Sequence, residues 1–174
     1  MKKILIALFL NIVVFSLAAR CFPARAVVVS NSATLYNDID TNSYDQRVYI
    51  LKNYLRSHNS PLSKHAKDFV VCADKYDLDW RFVPAITGVE STFGKRIPPN
   101  SHNAYGWANG HYRFDSWEES IDHVSKVLRE KYIDNGATSL NQIARIYAPP
   151  SSSWAWKVDF FMQKIDNLPL QYDL

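Results

Sequence analysis

Glu90 stands near the end of an apolar stretch and is the residue best suited to acid–base chemistry in this chain. The stretch 84–94 reads PAITGVESTFG, and helical spacing from Glu90 reaches Ile86 and then Val83. The carboxyl group is expected at the edge of a core-facing stripe with little water around it, near a helix C-terminus where the macrodipole disfavours negative charge. Both effects favour the protonated form that a general acid in glycoside cleavage requires. The alternative is a structural glutamate at the edge of the core.

A second carboxylate is expected if the chemistry is hydrolysis. Retaining and inverting glycosidases place the second acid about 5 to 9.5 Å from the first. Asp115, Glu118 and Glu119 are the candidates, and a capping box over 116–119 (SWEE) would occupy Glu119. Asp115 is the preferred candidate. Without a second acid, Glu90 must act first as acid and then as base.

Aromatic residues cluster in the segment 105–114, YGWANGHYRF, which predicts a short β-hairpin with a type I′ turn at Asn109-Gly110. Tyr105, Trp107 and Tyr112 would offer a platform for the apolar faces of sugar rings. The alternative is that a two-stranded ribbon needs such pairs to hold together. The register pairs the aromatic residues across the ribbon: Trp107 with Tyr112 and Tyr105 with Phe114.

Two motifs in order, AITGVESTFGK over 85–95 and NAYGW over 103–107, resemble the glucosaminidase branch of the lysozyme-like superfamily, whose name-giving activity is that of mannosyl-glycoprotein endo-β-N-acetylglucosaminidase. The resemblance implies a lysozyme-like domain that cleaves β-1,4 bonds between N-acetylhexosamines in peptidoglycan or a related polymer. It makes Glu90 the general acid and assigns substrate binding to Ser91 and Asn103. It also places Tyr147, in IYAPP, near the scissile bond. Tyr147 is alternatively the last core residue of its helix.

Three functions fit this resemblance. The first is an endo-β-N-acetylglucosaminidase, which the segment 103–107 favours. The related lytic transglycosylases share most of these residues and release a 1,6-anhydro sugar instead. A non-catalytic module that binds glycan or docks a partner is the alternative from another class.

Helical spacing recurs along the chain and predicts a mainly α fold with the one hairpin. Ser63 opens the helix that precedes the Glu90 helix, and Gly88 would allow the two backbones to approach closely. Ser116 and Ser139 each begin a later helix with a capping box. A final helix is expected over 154–165.

The N-terminal region predicts export. Residues 1–26 have the basic start, apolar run and small-x-small cleavage site of a signal peptide, so the protein is expected to be secreted or in the cell envelope. An uncleaved membrane anchor is the alternative; after cleavage no stable membrane insertion is expected. Beyond this segment, 27–43 is interpreted as a polar linker and 44–60 as an amphipathic helix that docks on the domain. The glycosidase domain is assigned to 61–168 and a tail to 169–174.

Composition excludes several other functions. Cleavage at Ala26 removes four basic residues and no acid, which lowers the net charge from +3 to −1, and the dispersed basic residues do not predict a nucleic-acid partner. The histidines lack metal-ligand spacing, so neither a metal nor another cofactor is expected. Cys72 is interpreted as a small core residue rather than a nucleophile.

Overall fold

The computed structural model of the protein describes residues 45–166. The predicted signal peptide (1–26), linker (27–43) and tail (169–174) lie outside the described residues. Residues 45–166 are mainly helical, as the sequence predicts. No helix in this part of the chain is long and apolar enough to cross a membrane.

Six α-helices make up most of the described chain. A 3₁₀ turn, Pro61–His65, precedes α2, and a π-helical turn, Leu128–Ile133, continues α4. A second 3₁₀ turn, Trp107–Gly110, lies in the loop before α4. The α-helices are α1 Gln46–Ser57, α2 Ala66–Lys75, α3 Phe82–Ser91, α4 Trp117–Val127, α5 Leu140–Tyr147 and α6 Trp154–Asp166.

Helix α3 is the centre of the core. Every residue from 82 to 88 is buried, as expected for a helix that is apolar on all sides. α3 packs most extensively against α6 and also contacts α2 and α4. The expectation for Gly88 is corrected, because it faces α6 rather than α2. A Cβ atom there would lie 2.7 Å from the ring of Phe93 and 3.0 Å from that of Phe161 on α6.

Helix α1 is part of the same core. Its backbone begins at the N-cap Asp45, whose carboxylate accepts a hydrogen bond from the Arg47 N–H at 2.9 Å. The face that carries Leu51, Tyr54 and Leu55 is buried. α1 packs against the Pro61–His65 turn, α2 and α6.

The predicted helix starts at Ser139 and Ser116 form, whereas the one at Ser63 is wrong, because the Ser60 hydroxyl accepts from the Leu62 N–H and begins the Pro61–His65 turn instead. Ser139 and Gln142 make a complete capping box at α5. At α4 the Ser116 hydroxyl accepts from the Glu119 N–H at 3.1 Å. The Glu119 carboxylate, however, accepts from the Asp115 N–H at 2.6 Å instead of from the N-cap residue. The reciprocal bond of the predicted capping box is therefore missing at α4, and Glu119 binds the residue before the N-cap instead.

The predicted β-hairpin over 105–114 does not form. The described residues contain no strand, and this segment is a loop around the turn Trp107–Gly110. Ala108 (φ 50°) and Asn109 (φ 55°) both adopt the left-handed conformation. The reversal therefore begins one residue earlier than the Asn109-Gly110 turn that the sequence predicts.

A side-chain amide replaces the ladder of that hairpin. The Asn103 amide donates to the carbonyls of Trp107 at 2.9 Å and Tyr112 at 3.0 Å, and its oxygen accepts from the Trp107 N–H at 2.9 Å. One long backbone bond of the expected register remains, from the Tyr112 N–H to the Trp107 carbonyl at 3.4 Å. The Phe114 N–H donates to Ser101 at 2.9 Å and not to Tyr105. Side-chain bonds to the backbone compete with strand pairing in this way.

Candidate functional site

Glu90 is the penultimate residue of α3. The helix ends at Ser91, and Thr92 turns the chain with a left-handed conformation (φ 54°). Glu90 is exposed to solvent, whereas residues 82–88 of the same helix are buried. The expectation of scarce water is therefore corrected. The helix delivers an acid from the core to the surface, where its carboxyl group contacts protein on one side.

Trp154 holds the Glu90 carboxylate. The indole Nε1–H donates to Glu90 Oε1 at 2.7 Å. Trp154 is the first residue of α6 and only 3% exposed, so the donor is fixed by the core. Hydrogen bonds to an ionised partner are stronger than those between neutral groups. The contact between α3 and α6 therefore sets the position of the acid.

Tyr147 completes one wall beside Glu90. Its ring lies 4.9 Å from the Trp154 ring, centroid to centroid. Its hydroxyl donates to the Tyr105 carbonyl at 2.8 Å. Burial raises the pKa of Tyr147 well above its ordinary value, and the charge of Glu90 raises this pKa further. Tyr147 is therefore a neutral phenol close to Glu90, and its proton is engaged by the backbone.

The loop before α4 passes directly over the carboxylate. Gly106 has φ 68°, and a Cβ atom there would lie 3.4 Å from Glu90 Oε2. The positive φ favours glycine at this position, and the missing side chain keeps the second carboxylate oxygen clear. The two oxygens of Glu90 thus have different surroundings: indole on one, open backbone on the other.

Opposing effects determine the pKa of Glu90. Although Glu90 as a residue is exposed, its carboxyl group is partly desolvated on the side that contacts protein. This desolvation is the largest effect and raises the pKa of Glu90 above its ordinary value. The Trp154 hydrogen bond and the positive charge of Lys157 lower it, without cancelling the increase. The result is a carboxylic acid that holds its proton to a higher pH than a free glutamate.

Three of the predicted substrate-binding residues are buried and do not present their side chains to a ligand. Ser91, Asn103 and Tyr105 are 3%, 2% and 1% exposed. The Ser91 hydroxyl lies 2.8 Å from the Ala104 carbonyl, which ties the end of α3 to the loop. Asn103 forms the loop bonds described above. The Tyr105 hydroxyl is buried beside Ser120, whose own hydroxyl donates to the Trp117 carbonyl at 2.8 Å.

Trp107 and Tyr112, the other predicted binding residues, belong to the loop before α4 and pack against that helix near the surface. Tyr112 is 41% exposed and Trp107 is partly buried. Their rings both contact His123, at centroid distances of 5.4 Å for Trp107 and 6.2 Å for Tyr112. No hydrogen bond or ring contact joins either residue to Glu90 in the described part of the chain. The Asn103 side-chain amide binds the backbone of Trp107 and Tyr112, and Gly106 of the same loop lies beside Glu90.

The candidate second acids have other contacts. Asp115 is exposed and its backbone is held by Glu119. Glu118 is 3.1 Å from His65. Within residues 45–166, no hydrogen bond or ion pair joins these three acids to Glu90, and the charged side chain that acts on its pKa is Lys157.

Two other groups of reactive side chains lie away from Glu90. His65, Asp68 and Glu118 place potential metal-ligating atoms within 4.8 Å of one another, and His65 Nδ1 is 3.1 Å from each carboxylate. These contacts join the Pro61–His65 turn to α2 and α4. Cys72 is free and buried, which confirms its prediction as a core residue, and burial raises the pKa of its thiol to about 11.

Sequence reasoning missed three contributors to the site: Trp154, Lys157 and Gly106. The sequence predicts Trp154 only as the start of the final helix, since hydrophobic spacing does not reveal which polar atom an indole contacts. The pair Trp154 and Lys157, three residues apart at the start of a helix, is a signal only once α6 is known to pack on α3.

No family model matches the chain, and no curated protein matches it. The resemblance to the glucosaminidase branch therefore stays a prediction that rests on the sequence motifs.

Proposed function

We propose that the protein is a glycosidase that cleaves β-1,4 bonds between N-acetylhexosamines in peptidoglycan, with Glu90 as its general acid. The observation that carries this proposal is the carboxyl group itself. It is delivered to the surface by a buried helix, held by an indole N–H at 2.7 Å, and has a raised pKa. The resemblance of the motifs around Glu90 to the glucosaminidase branch supplies the substrate class.

The proposed reaction begins with the proton on the Glu90 carboxyl group. Protonated Glu90 gives its proton to the glycosidic oxygen while the C1–O bond breaks, and the departing sugar leaves as an alcohol. The positive charge that develops on the ring is then quenched by an oxygen nucleophile. The Glu90 carboxylate, still held by Trp154, accepts the proton that this nucleophile loses.

Two nucleophiles distinguish the candidate reactions. Water gives hydrolysis and a reducing N-acetylglucosamine end, the endo-β-N-acetylglucosaminidase reaction, for which Asp115 is the proposed second acid. The 6-hydroxyl of the substrate gives a 1,6-anhydro sugar, as in lytic transglycosylases. The second reaction needs no second carboxylate, which agrees with the described hydrogen bond of Glu90, made with Trp154 and not with another acid.

Digestion of purified peptidoglycan tests the proposal, with products identified by mass spectrometry. The Glu90→Gln variant keeps an acceptor for Trp154 but holds no transferable proton, so we expect glycan cleavage to be lost while the thermal unfolding curve stays close to wild type. Glu130→Gln, which changes an exposed glutamate 4.0 Å from Lys126, is the matched control and should cleave normally.

Three outcomes separate the alternatives. Full activity of Glu90→Gln would assign the acid elsewhere. Binding of glycan by a wild-type protein that cleaves none would identify a non-catalytic module. Reducing ends that disappear in Asp115→Asn would establish hydrolysis, whereas anhydromuramyl ends with Asp115→Asn fully active would establish the transglycosylase reaction.

A further inference from the structure

Lys157 lies beside the proposed acid on the first turns of α6. It follows Trp154 by three residues, which puts the two side chains on neighbouring positions of the helix surface. Trp154 contacts Glu90 at 2.7 Å, and the Lys157 charge acts on the same carboxyl group. An exposed ammonium group therefore stands at the edge of the Glu90 site.

The described fold does not use this ammonium group. Within residues 45–166 the Lys157 side chain makes no ion pair or hydrogen bond, in contrast to Lys75, which pairs with Asp122 at 2.6 Å, and Lys95, which donates to the His58 carbonyl at 2.7 Å. Its effect on Glu90 also opposes the proposed chemistry, because a nearby cation favours the ionised form of the acid. Neither a contribution to fold stability nor a role in proton transfer explains why the Lys157 ammonium group lies beside Glu90.

An anion on the substrate would account for it. A bound carboxylate would pair with the ammonium group and offset its field at Glu90, so the acid would keep its proton when the correct substrate is in place. We propose that Lys157 binds a carboxylate of the glycan, so that the site selects a muramic-acid polymer over a neutral N-acetylglucosamine polymer. This inference rests on the proposed glycosidase function.

Peptidoglycan offers that carboxylate from two sources. The lactyl group of muramic acid ends in a free carboxylate when the peptide has been removed. In peptide-bearing strands this group is an amide, and the peptide supplies carboxylates of its own. Chitooligosaccharides have the same N-acetylhexosamine backbone without either group, which makes them the neutral reference.

The test compares kcat/KM on peptide-bearing strands, peptide-free strands and chitooligosaccharides. For Lys157→Gln we expect the preference for anionic over neutral glycan to fall roughly ten-fold, the loss of one charge-assisted contact. The strand type that loses its preference identifies the source of the carboxylate. Lys164→Gln is the matched control: Lys164 is on the same helix, 5.5 Å from the Phe160 ring centroid, and its variant should retain the wild-type ratio.

The pH profile supplies a readout that a structural role would not move. Glu90 is faced by Trp154 and Lys157 from α6 and by Tyr147 from α5. The profile of kcat reports the enzyme–substrate complex. In the wild type, its alkaline limb should lie at higher pH with an anionic strand than with a neutral one. In Lys157→Gln the two limbs should coincide.

Binding measured in a Glu90→Gln background keeps this inference separate from the proposed reaction. Lys157→Gln in that background should weaken binding of anionic strands more than binding of chitooligosaccharides. A wild type that cleaves nothing would overturn the proposed function alone if this binding difference is present. Equal losses on charged and neutral glycans, or no loss on either, would overturn the role of Lys157.

Discussion

At the scale of single residues, the surroundings of Glu90 depend on a rigid hydrogen-bond donor, Trp154, and on the absence of a side chain at Gly106. Trp154 is nearly fully buried, so its N–H points at one carboxylate oxygen without the freedom of a surface side chain. Gly106 leaves the other oxygen unobstructed. An acid that must meet a glycosidic oxygen needs both features, since misplacement by about 1 Å can cost roughly a hundred-fold in rate.

Replacing Trp154 by Phe tests this arrangement. The indole N–H stabilises the carboxylate, so its loss should raise the pKa of Glu90 further. Because the protonated acid is the active form, the alkaline limb of kcat should move to higher pH. We also expect kcat to fall roughly ten-fold or more as the carboxyl group loses its anchor.

Trp156→Phe is the control for that variant. Trp156 lies on the same helix, is 67% exposed and makes no described contact with Glu90. Its variant should keep the wild-type pH profile. An unchanged alkaline limb in Trp154→Phe would contradict the role of the indole N–H.

At the scale of elements, the site depends on how closely α3 and α6 approach each other. At Gly88 there is no room for a side chain, because a Cβ atom would lie 2.7 Å from the Phe93 ring and 3.0 Å from the Phe161 ring on α6. Phe93 is 1% exposed and follows α3 in the left-handed turn that ends the helix. The packing of α3 on α6 that brings Trp154 to Glu90 therefore depends on the absence of a side chain at Gly88.

A methyl group at Gly88 should separate the two helices. We expect Gly88→Ala to destabilise the protein by about 1–2 kcal/mol, since overpacking costs about 1–3 kcal/mol and the gain in helix propensity returns up to about 1 kcal/mol. Urea unfolding measures the change. Combining it with Phe93→Leu, which removes the closest ring, should give less destabilisation than the sum of the single variants. Strict additivity would contradict the steric explanation.

At the scale of the whole molecule, α1 belongs to the core that carries the site. Leu51 and Leu55 are both 0% exposed, and α1 contacts α6, which holds Glu90 through its first residue. The sequence alone predicts an amphipathic helix here that docks on the domain. The structure describes it as an integral layer of the fold.

Truncation of one α1 side chain measures that integration. Leu51→Ala should lower the free energy of unfolding by about 2–5 kcal/mol, the range for emptying a fully buried leucine site. The neighbouring exposed residue provides the control, and Lys52→Ala should change stability by less than about 0.5 kcal/mol. A loss in Leu51→Ala as small as in Lys52→Ala would show that α1 is dispensable.

Local rules were sufficient for the helices. Apolar spacing and capping residues predicted the mainly α fold, the Ser139 capping box and a helix that closes near Glu90, because these features involve residues at most a few positions apart. The prediction of a hairpin was wrong, although it also used residues only a few positions apart. The preference of Asn109-Gly110 for a two-residue turn was outweighed by the hydrogen bonds of the Asn103 amide. These bonds form only when the folded chain brings Trp107 and Tyr112 next to Asn103.

Tertiary structure alone decided the surroundings of the acid. The chain separation between Glu90 and Trp154 is 64 residues, and 42 residues separate Tyr147 from Tyr105, so no spacing rule could pair them. The same holds for Ser91 and Tyr105, which the motifs suggested as ligands and which packing places inside. The sequence determined which carboxyl group ends the central helix, because that follows from one helix. Its hydrogen bond, its neighbouring charge and its open side depend on α6 and the loop, which meet α3 only in the folded chain.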